Sequence, residues 1–366
     1  MKTASPSRIA ARDELEGGQS GILPLVASPW PLLGVTGLLL VAVVLVAAVQ
    51  GAVAIPASTL IQVLLHRLGV GGVENAWPAA YETIFLEIRL PRIMLAGLVG
   101  GALGVAGAAY QGLFRNPLAD PYLIGVASGA GLGATVALLL PVHLFITSAG
   151  LVPIMAFGGA LTTVAVAYGV ARVGQTLPTA TLLLAGVAIA SLATSLTSFL
   201  MAMSGEELRA IFSWLMGSFV LSSWQKVLAV LPYLVVSGGV LLLLARPLNA
   251  LQVGEEEARQ LGVDTERAKL LLIVFASLAT AAAVSVSGLI GFVGLVVPHA
   301  VRLVGGPDYR RVLPVSMITG AAFLVLADTV ARSLIAPIEL PVGVVTAFSG
   351  APFFLYLLRR RKQVLF

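Results

Sequence analysis

Apolar stretches of about twenty residues recur from one end of this chain to the other, and few folds can accommodate them. The first, PLLGVTGLLLVAVVLVAAVQGAVA at 31–54, holds no charged residue. At 1.5 Å per residue it can cross a hydrocarbon layer of ~30 Å. Nine more follow at about 92–114, 121–140, 150–171, 180–203, 227–245, 268–287, 289–304, 312–330 and 342–358. In lipid each backbone polar group must find its partner within its own segment, so the repeat is read as helices. The expected fold is all-α, a polytopic membrane protein with about ten transmembrane helices. Apolar residues make up 58% and charged residues 11%, against roughly 25% charged in a soluble domain. That gap excludes a disordered chain, a nucleic-acid-binding domain and a cytosolic enzyme. The expected surroundings are a lipid bilayer, with no nucleic-acid partner.

Ten spans place both termini on one side. With the N-terminus inside, sixteen of the 22 Lys and Arg residues fall in cytoplasmic segments and six outside. That bias supports cytoplasmic N and C termini. Residues 1–30 form an expected cytoplasmic tail, with no signal-peptide pattern. Residues 31–360 form the membrane domain, and 361–366 a C-terminal tail. Two polar segments interrupt the pattern. One, outside at about 55–91, contains the helical stretch TLIQVLLHRL and Glu74. The other, inside at 246–267, reads RPLNALQVGEEEARQLGVDTER, with amphipathic pieces on either side of Gly254 and a further break at Gly262. A solvated connector is the ordinary use of such a loop. Its length and charge also suit a docking surface for a soluble cytoplasmic partner.

The chain has no cysteine and three histidines, His66, His143 and His299. Thiolate sites are excluded and a multi-histidine metal centre is not expected. Gly129–Ala134 matches the dinucleotide spacing G-x-G-x-x-A. It lacks a strand before it and an acidic residue between Asp120 and Glu206, so it is set aside. None of the four lysines follows a glycine, so no phosphate-binding loop is present. An ATP-driven process would need a separate ATPase chain. Gly97 and Gly101, Gly100 and Gly104, and then Gly125, Gly129 and Gly133 are spaced by four, which lets helices pack closely in lipid. Ser285, Ser287 and Gly288 suggest a reversal between the seventh and eighth spans.

Arg89-Leu90-Pro91-Arg92 should open the second span, with Pro91 in its first turn. Arg89 and Arg92 lie on one face at the outer surface, either as anchors snorkelling to headgroups or as a cationic patch for an acidic partner. Asn116-Pro117-Leu118-Ala119-Asp120-Pro121 breaks the chain at the inner end of that span. Asp328 and Arg332 are four apart near the outer surface, where a local ion pair is expected. Embedded carboxylates do not cluster, which argues against an ion-coupled pump. A secondary transporter or channel, or a membrane enzyme, would need such charges or clustered His, Asp or Cys.

These residues resemble the FecCD-type permease family of type II ABC importers. The matching stretches are RLPR at 89–92, AYQGLFRNPLADPYLIGVASGAG at 109–131, LLLAGVA at 182–188, SWLMGS at 213–218 and GEEEARQLGV at 254–263. They continue with GLIGFVGLVVPHAVRLVGG at 288–306, ADTVAR at 327–332 and ELPVGVVTAFSGAPFFLYLLRR at 339–360. The resemblance implies the type II importer permease fold, a homodimer with the pathway at its interface, two ABC ATPase subunits inside and a periplasmic substrate-binding protein outside. ATP and Mg would be bound by the partner ATPase, leaving this chain without a cofactor. The family carries ferric siderophores, haem and cobalamin across the bacterial inner membrane. An iron chelate is the first expectation for this chain and cobalamin the second. Carried over by motif, Arg89, Arg92 and Arg332 resemble the arginines that meet the binding protein. Asn116, Leu118, Thr179 and Ala180 match the cytoplasmic gate, with Ala180 where the family pattern has a hydroxyl residue. The 246–267 loop resembles the coupling helices, with Gly254, Glu255, Glu256, Ala258, Leu261 and Gly262 as its coupling residues.

Overall fold

The computed structural model describes residues 30–51, 53, 55–67, 77–140 and 148–365. The expected tail before Trp30, Glu74 and His143 lie outside the described residues. In chain order the helices are α1 (Trp30–Val49), α2 (Ala57–Arg67), α3 (Ala79–Thr83), α4 (Leu90–Leu113), α5 (Val126–Leu139), α6 (Ser148–Ala171), α7 (Thr179–Met203) and α8 (Leu208–Leu215). There follow α9 (Trp224–Leu243), α10 (Ala245–Val253), α11 (Glu255–Gln260), α12 (Thr265–Ser287), α13 (Val293–Gly305), α14 (Tyr309–Ser333) and α15 (Val342–Leu365). The described residues contain no strand, only two isolated bridges within turns. Seven helical stretches are long and apolar enough to cross a membrane, and α5, α13 and the first part of α15 are shorter apolar helices. Together they coincide with the ten spans read from the sequence.

Helix α4 is the axis of the fold. It is buried along nearly its whole length and packs against α14, α12, α13 and α9. Its alanine- and glycine-rich sequence is apolar on every side, as a fully enclosed helix requires. Between helices in lipid, close packing replaces the hydrophobic drive. Gly100 on α4 and Gly320 on α14 face each other so closely that a Cβ on either would collide with the other's carbonyl. Gly129 on α5 and Gly159 on α6 repeat the arrangement. The spacing of four seen in the sequence thus marks real helix contacts at Gly100, Gly104, Gly129 and Gly133.

Helix α4 opens at Leu90 with Pro91 in its first turn, as expected, but no break precedes it. The rod runs unbroken from Ala79 to Leu113, and residues Ile84–Arg89 form a π-helical segment just before the proline. A wider turn there relieves the clash between a proline ring and the carbonyl one turn back. Two spans are also shorter than their apolar sequence suggests. Helix α5 begins at Val126 and α13 at Val293, each after an irregular approach. Gly288 adopts φ +69°, in the left-handed region, and ends α12 where the reversal was expected. The approaches meet each other: the Tyr122 hydroxyl donates to the Ile290 carbonyl at 2.9 Å and accepts from the Ile290 amide at 3.2 Å. One side chain therefore satisfies backbone that neither helix can.

Candidate functional site

The first group of candidate residues gathers where α1 ends. Arg89 donates to the carbonyls of Ala48 at 2.9 Å, Val49 at 3.2 Å and Val53, and Arg332 donates to that of Ala47. The last carbonyls of a helix lack intrahelical partners and carry partial negative charge, so two guanidinium groups cap α1. Arg92 faces the other way. Its Nε and Nη2 grip the Asp328 carboxylate at 2.9–3.1 Å, and its Nη1 reaches Glu339 at 2.9 Å. Arg332 stands 3.7 Å from Asp328.

The structure brings the three arginines together, as the sequence suggested, but not at the surface. Arg89, Arg92 and Arg332 are only 4%, 7% and 6% exposed. They do not snorkel: each is engaged inside the chain. The expected Asp328–Arg332 pair exists at long range, while the close partner of Asp328 is Arg92, from a helix 236 residues away. Glu339, whose side chain is 33% exposed, is the one carboxylate of this cluster that solvent reaches. It sits in the ELPVG stretch, but nothing in the sequence around it announces Arg92 as its partner.

At the opposite end, the 246–267 segment forms the two helices expected of it. Val253 and Glu255 belong to α10 and α11, and Gly254 separates them. Gly262, at φ +83°, turns the chain into α12, whose N-cap Asp264 accepts from the Arg267 amide at 3.1 Å. Ala258 is buried, while Glu256, Leu261 and Gly262 are exposed and Glu255 is half-buried. Asn249 pins α10 to the start of α14: it donates to the Asp308 carboxylate at 2.7 Å and accepts from the Tyr309 amide at 2.9 Å. Asp308 also binds Arg310. That contact, helped by Asn249, holds its carboxyl below the usual carboxylate range.

The gate candidates come to the same end. Gln252 on α10 donates to the Gly112 carbonyl in the last turn of α4, four residues before Asn116. Asn116 is exposed, and its side chain accepts from the Leu118 amide at 2.9 Å, fixing the turn after α4. Thr179 opens α7, and Ala180 beside it is exposed. Just before them, the buried amide and carbonyl of Leu177 bind Glu266 at 2.9 Å and Lys269 at 3.0 Å. Sequence reasoning did not single out Lys269, Glu266, Asn249 or Asp308. An isolated lysine in the first turns of an apolar span was the available signal for Lys269.

Between the two ends, a cavity of about 760 Å³ opens beside α7. Asp120, Tyr122 and Phe292 form one wall, and Ser191, Thr194 and Ser195 of α7 another. The three hydroxyl residues lie near mid-length of α7, which also carries Thr181, Thr197 and Ser198, and all three are exposed.

Known proteins resemble this chain in sequence and fold. The profile of the FecCD transport family matches residues 39–360. The cobalamin import permease BtuC of Halobacterium salinarum is 48% identical, over 89% of this chain and 95% of its own length. The hemin transport permease HmuU of Yersinia pestis is 42% identical, over 76% and 84%. The Fe(3+) dicitrate transport permease FecD of Escherichia coli is 38% identical, over 78% and 89%. An inward-facing metal-chelate type ABC transporter of known structure superposes with a TM-score of 0.77 at 32% identity, covering 91% of this chain and 99% of its own. Ten apolar helical stretches, with α4 buried among the other nine, and these relatives along most of the length place the chain among multi-pass membrane permeases: it belongs to the FecCD transport family.

Proposed function

We propose that this chain is the membrane half of an ATP-driven importer, moving a bulky metal chelate across the bacterial inner membrane as a homodimer. The supporting observation is the hydroxyl row Ser191, Thr194 and Ser195 on α7, beside the cavity. A second copy covering this face would enclose a polar-lined path, with Thr179, Ala180, Asn116 and Leu118 at its cytoplasmic mouth. Both termini are cytoplasmic in this reading. Helices α10 and α11 seat on two ABC ATPase subunits, which bind ATP and Mg and perform the hydrolysis. A periplasmic binding protein delivers the cargo at the end where Arg89, Arg92 and Arg332 gather.

The hemin and ferric dicitrate relatives support an iron chelate as cargo, and the 48% identity to a cobalamin permease supports cobalamin. The test is uptake into proteoliposomes holding the permease, its ATPase and the binding protein, with haemin, a ferric siderophore and cyanocobalamin offered in turn. The expected result is ATP-dependent uptake of one of these chelates. Uptake that survives without ATP hydrolysis overturns the proposal in favour of a secondary transporter.

A further inference from the structure

We propose that Lys269 is a positioning residue that ties the coupling helix α11 to the gate at the start of α7. Lys269 lies one turn into α12 and is 2% exposed. Its ammonium has three partners from three segments. It pairs with Glu255, the first residue of α11, at 3.0 Å and with Glu266 of its own helix at 2.6 Å, and it donates to the Leu177 carbonyl at 3.0 Å. Glu266 closes the ring by accepting from the Leu177 amide at 2.9 Å. Leu177 is itself buried and stands two residues before Thr179. Arg259 of α11 flanks the ring, 3.9 Å from Glu266.

A buried cation that loses one acceptor keeps its desolvation cost and loses the compensation. A displacement of α11 that drew Glu255 away would strip Lys269 in this manner. The low-cost response is for the whole ring to move together, carrying the 173–178 turn and the first turn of α7 with it. The turn suits this use. Val173 and Thr176 bond each other reciprocally at 3.0 Å, so it moves as a unit.

The inference rests on the reading that α10 and α11 seat on the ATPase. The experiment uses the complete transporter in nanodiscs, with Thr179→Cys as reporter in a chain that has no native cysteine. The rate at which a membrane-impermeant maleimide labels the introduced thiol is measured without nucleotide and with ATP plus vanadate. Coupling between sites of this kind amounts to roughly 5–150-fold. The response should be of that size with Lys269 and with Lys269→Arg, and should be lost with Lys269→Met and Glu255→Gln while the ATPase stays bound to Lys269→Met. If Lys269→Met does not fold, Glu255→Gln, which keeps the buried ammonium paired with Glu266, decides. A full nucleotide response in both neutral variants overturns the inference, as does no response in the Lys269 chain. Separately, Leu261→Asp on the exposed side of the α11 turn tests the seating. If it binds the ATPase as well as wild type does, the seating reading fails and the inference falls with it. If it loses the ATPase while Lys269→Met still responds to nucleotide, only the inference fails.

Discussion

Asp328 is almost wholly enclosed, and its charge is balanced by Arg92 at hydrogen-bond distance and Arg332 beyond it. Removing one partner of a buried pair costs ~3–5 kcal/mol, because the other charge stays buried. Asp328→Ala should therefore lower the melting temperature of the permease in nanodiscs by several degrees, while Glu339→Ala, at the exposed edge, should lower it less. Equal shifts would show that the buried pair is not the anchor. Asp308 gives a residue-scale prediction with a pH sign. Arg310 and Asn249 hold its folded-state pKa below the unfolded value of about 3.9. Its stabilisation is complete above that value and is lost as pH falls through the folded pKa. Asp308→Asn keeps a capping oxygen, so its melting temperature should fall less than that of wild type between pH 6 and pH 3. A wild-type acid slope in the variant would contradict the assignment.

At the scale of elements, contact between helices depends on where Cβ atoms are missing. A Cβ on Gly107 of α4 would fall inside the Gly294 backbone of α13, whereas one on Gly97 would meet only the Val325 side chain at 3.7 Å. Overpacking between two backbones costs about 1–3 kcal/mol. Gly107→Ala should reduce the yield and melting temperature of folded permease, and Gly97→Ala should leave both near wild type. Comparing the two by size-exclusion chromatography and thermal shift checks the point. The spacing of four in the sequence marked Gly97 as a packing residue and passed over Gly107. Only the structure ranks them, because the partner of Gly107 lies at an irregular helix start.

For the whole molecule, the spans were legible because lipid thickness sets helix length and the backbone has no other way to be satisfied. The α10–α11 break was legible because Gly254 and Gly262 interrupt amphipathic pieces. The arginine cluster was only half legible. Local spacing put Arg89 and Arg92 at one helix end, but their acceptors on α1 and at Asp328 and Glu339 come from distant parts of the chain. The irregular starts of α5 and α13 were hidden, because Leu123-Ile124 and Leu289-Ile290 read as continuous apolar sequence. For the docking proposed above, the cluster adds a requirement. Arg92 meets solvent through Glu339, which holds the position an acidic partner would take. Glu339→Gln should thus tighten binding-protein association roughly tenfold at low salt, about 1.4 kcal/mol. Unchanged or weaker affinity in nanodiscs would mean that a partner does not compete for Arg92.

The Tyr122–Ile290 bond has a consequence for biogenesis. Helix α5 has 14 residues, about 21 Å of rise, short of a ~30 Å hydrocarbon core. Helix α13, with 13 residues, is shorter still, and the unwound Ile290 backbone ahead of it relies on the Tyr122 hydroxyl, 168 residues earlier in the chain. At ~5–20 residues per second of synthesis, that hydroxyl is in place roughly ten to thirty seconds before Ile290. Through that interval the approach to α5 holds itself, since the Leu123 and Gly125 amides bond the carbonyls of Asp120 and Tyr122. The third span therefore carries the group that completes the start of the eighth, and the later half-span is seated against one already made.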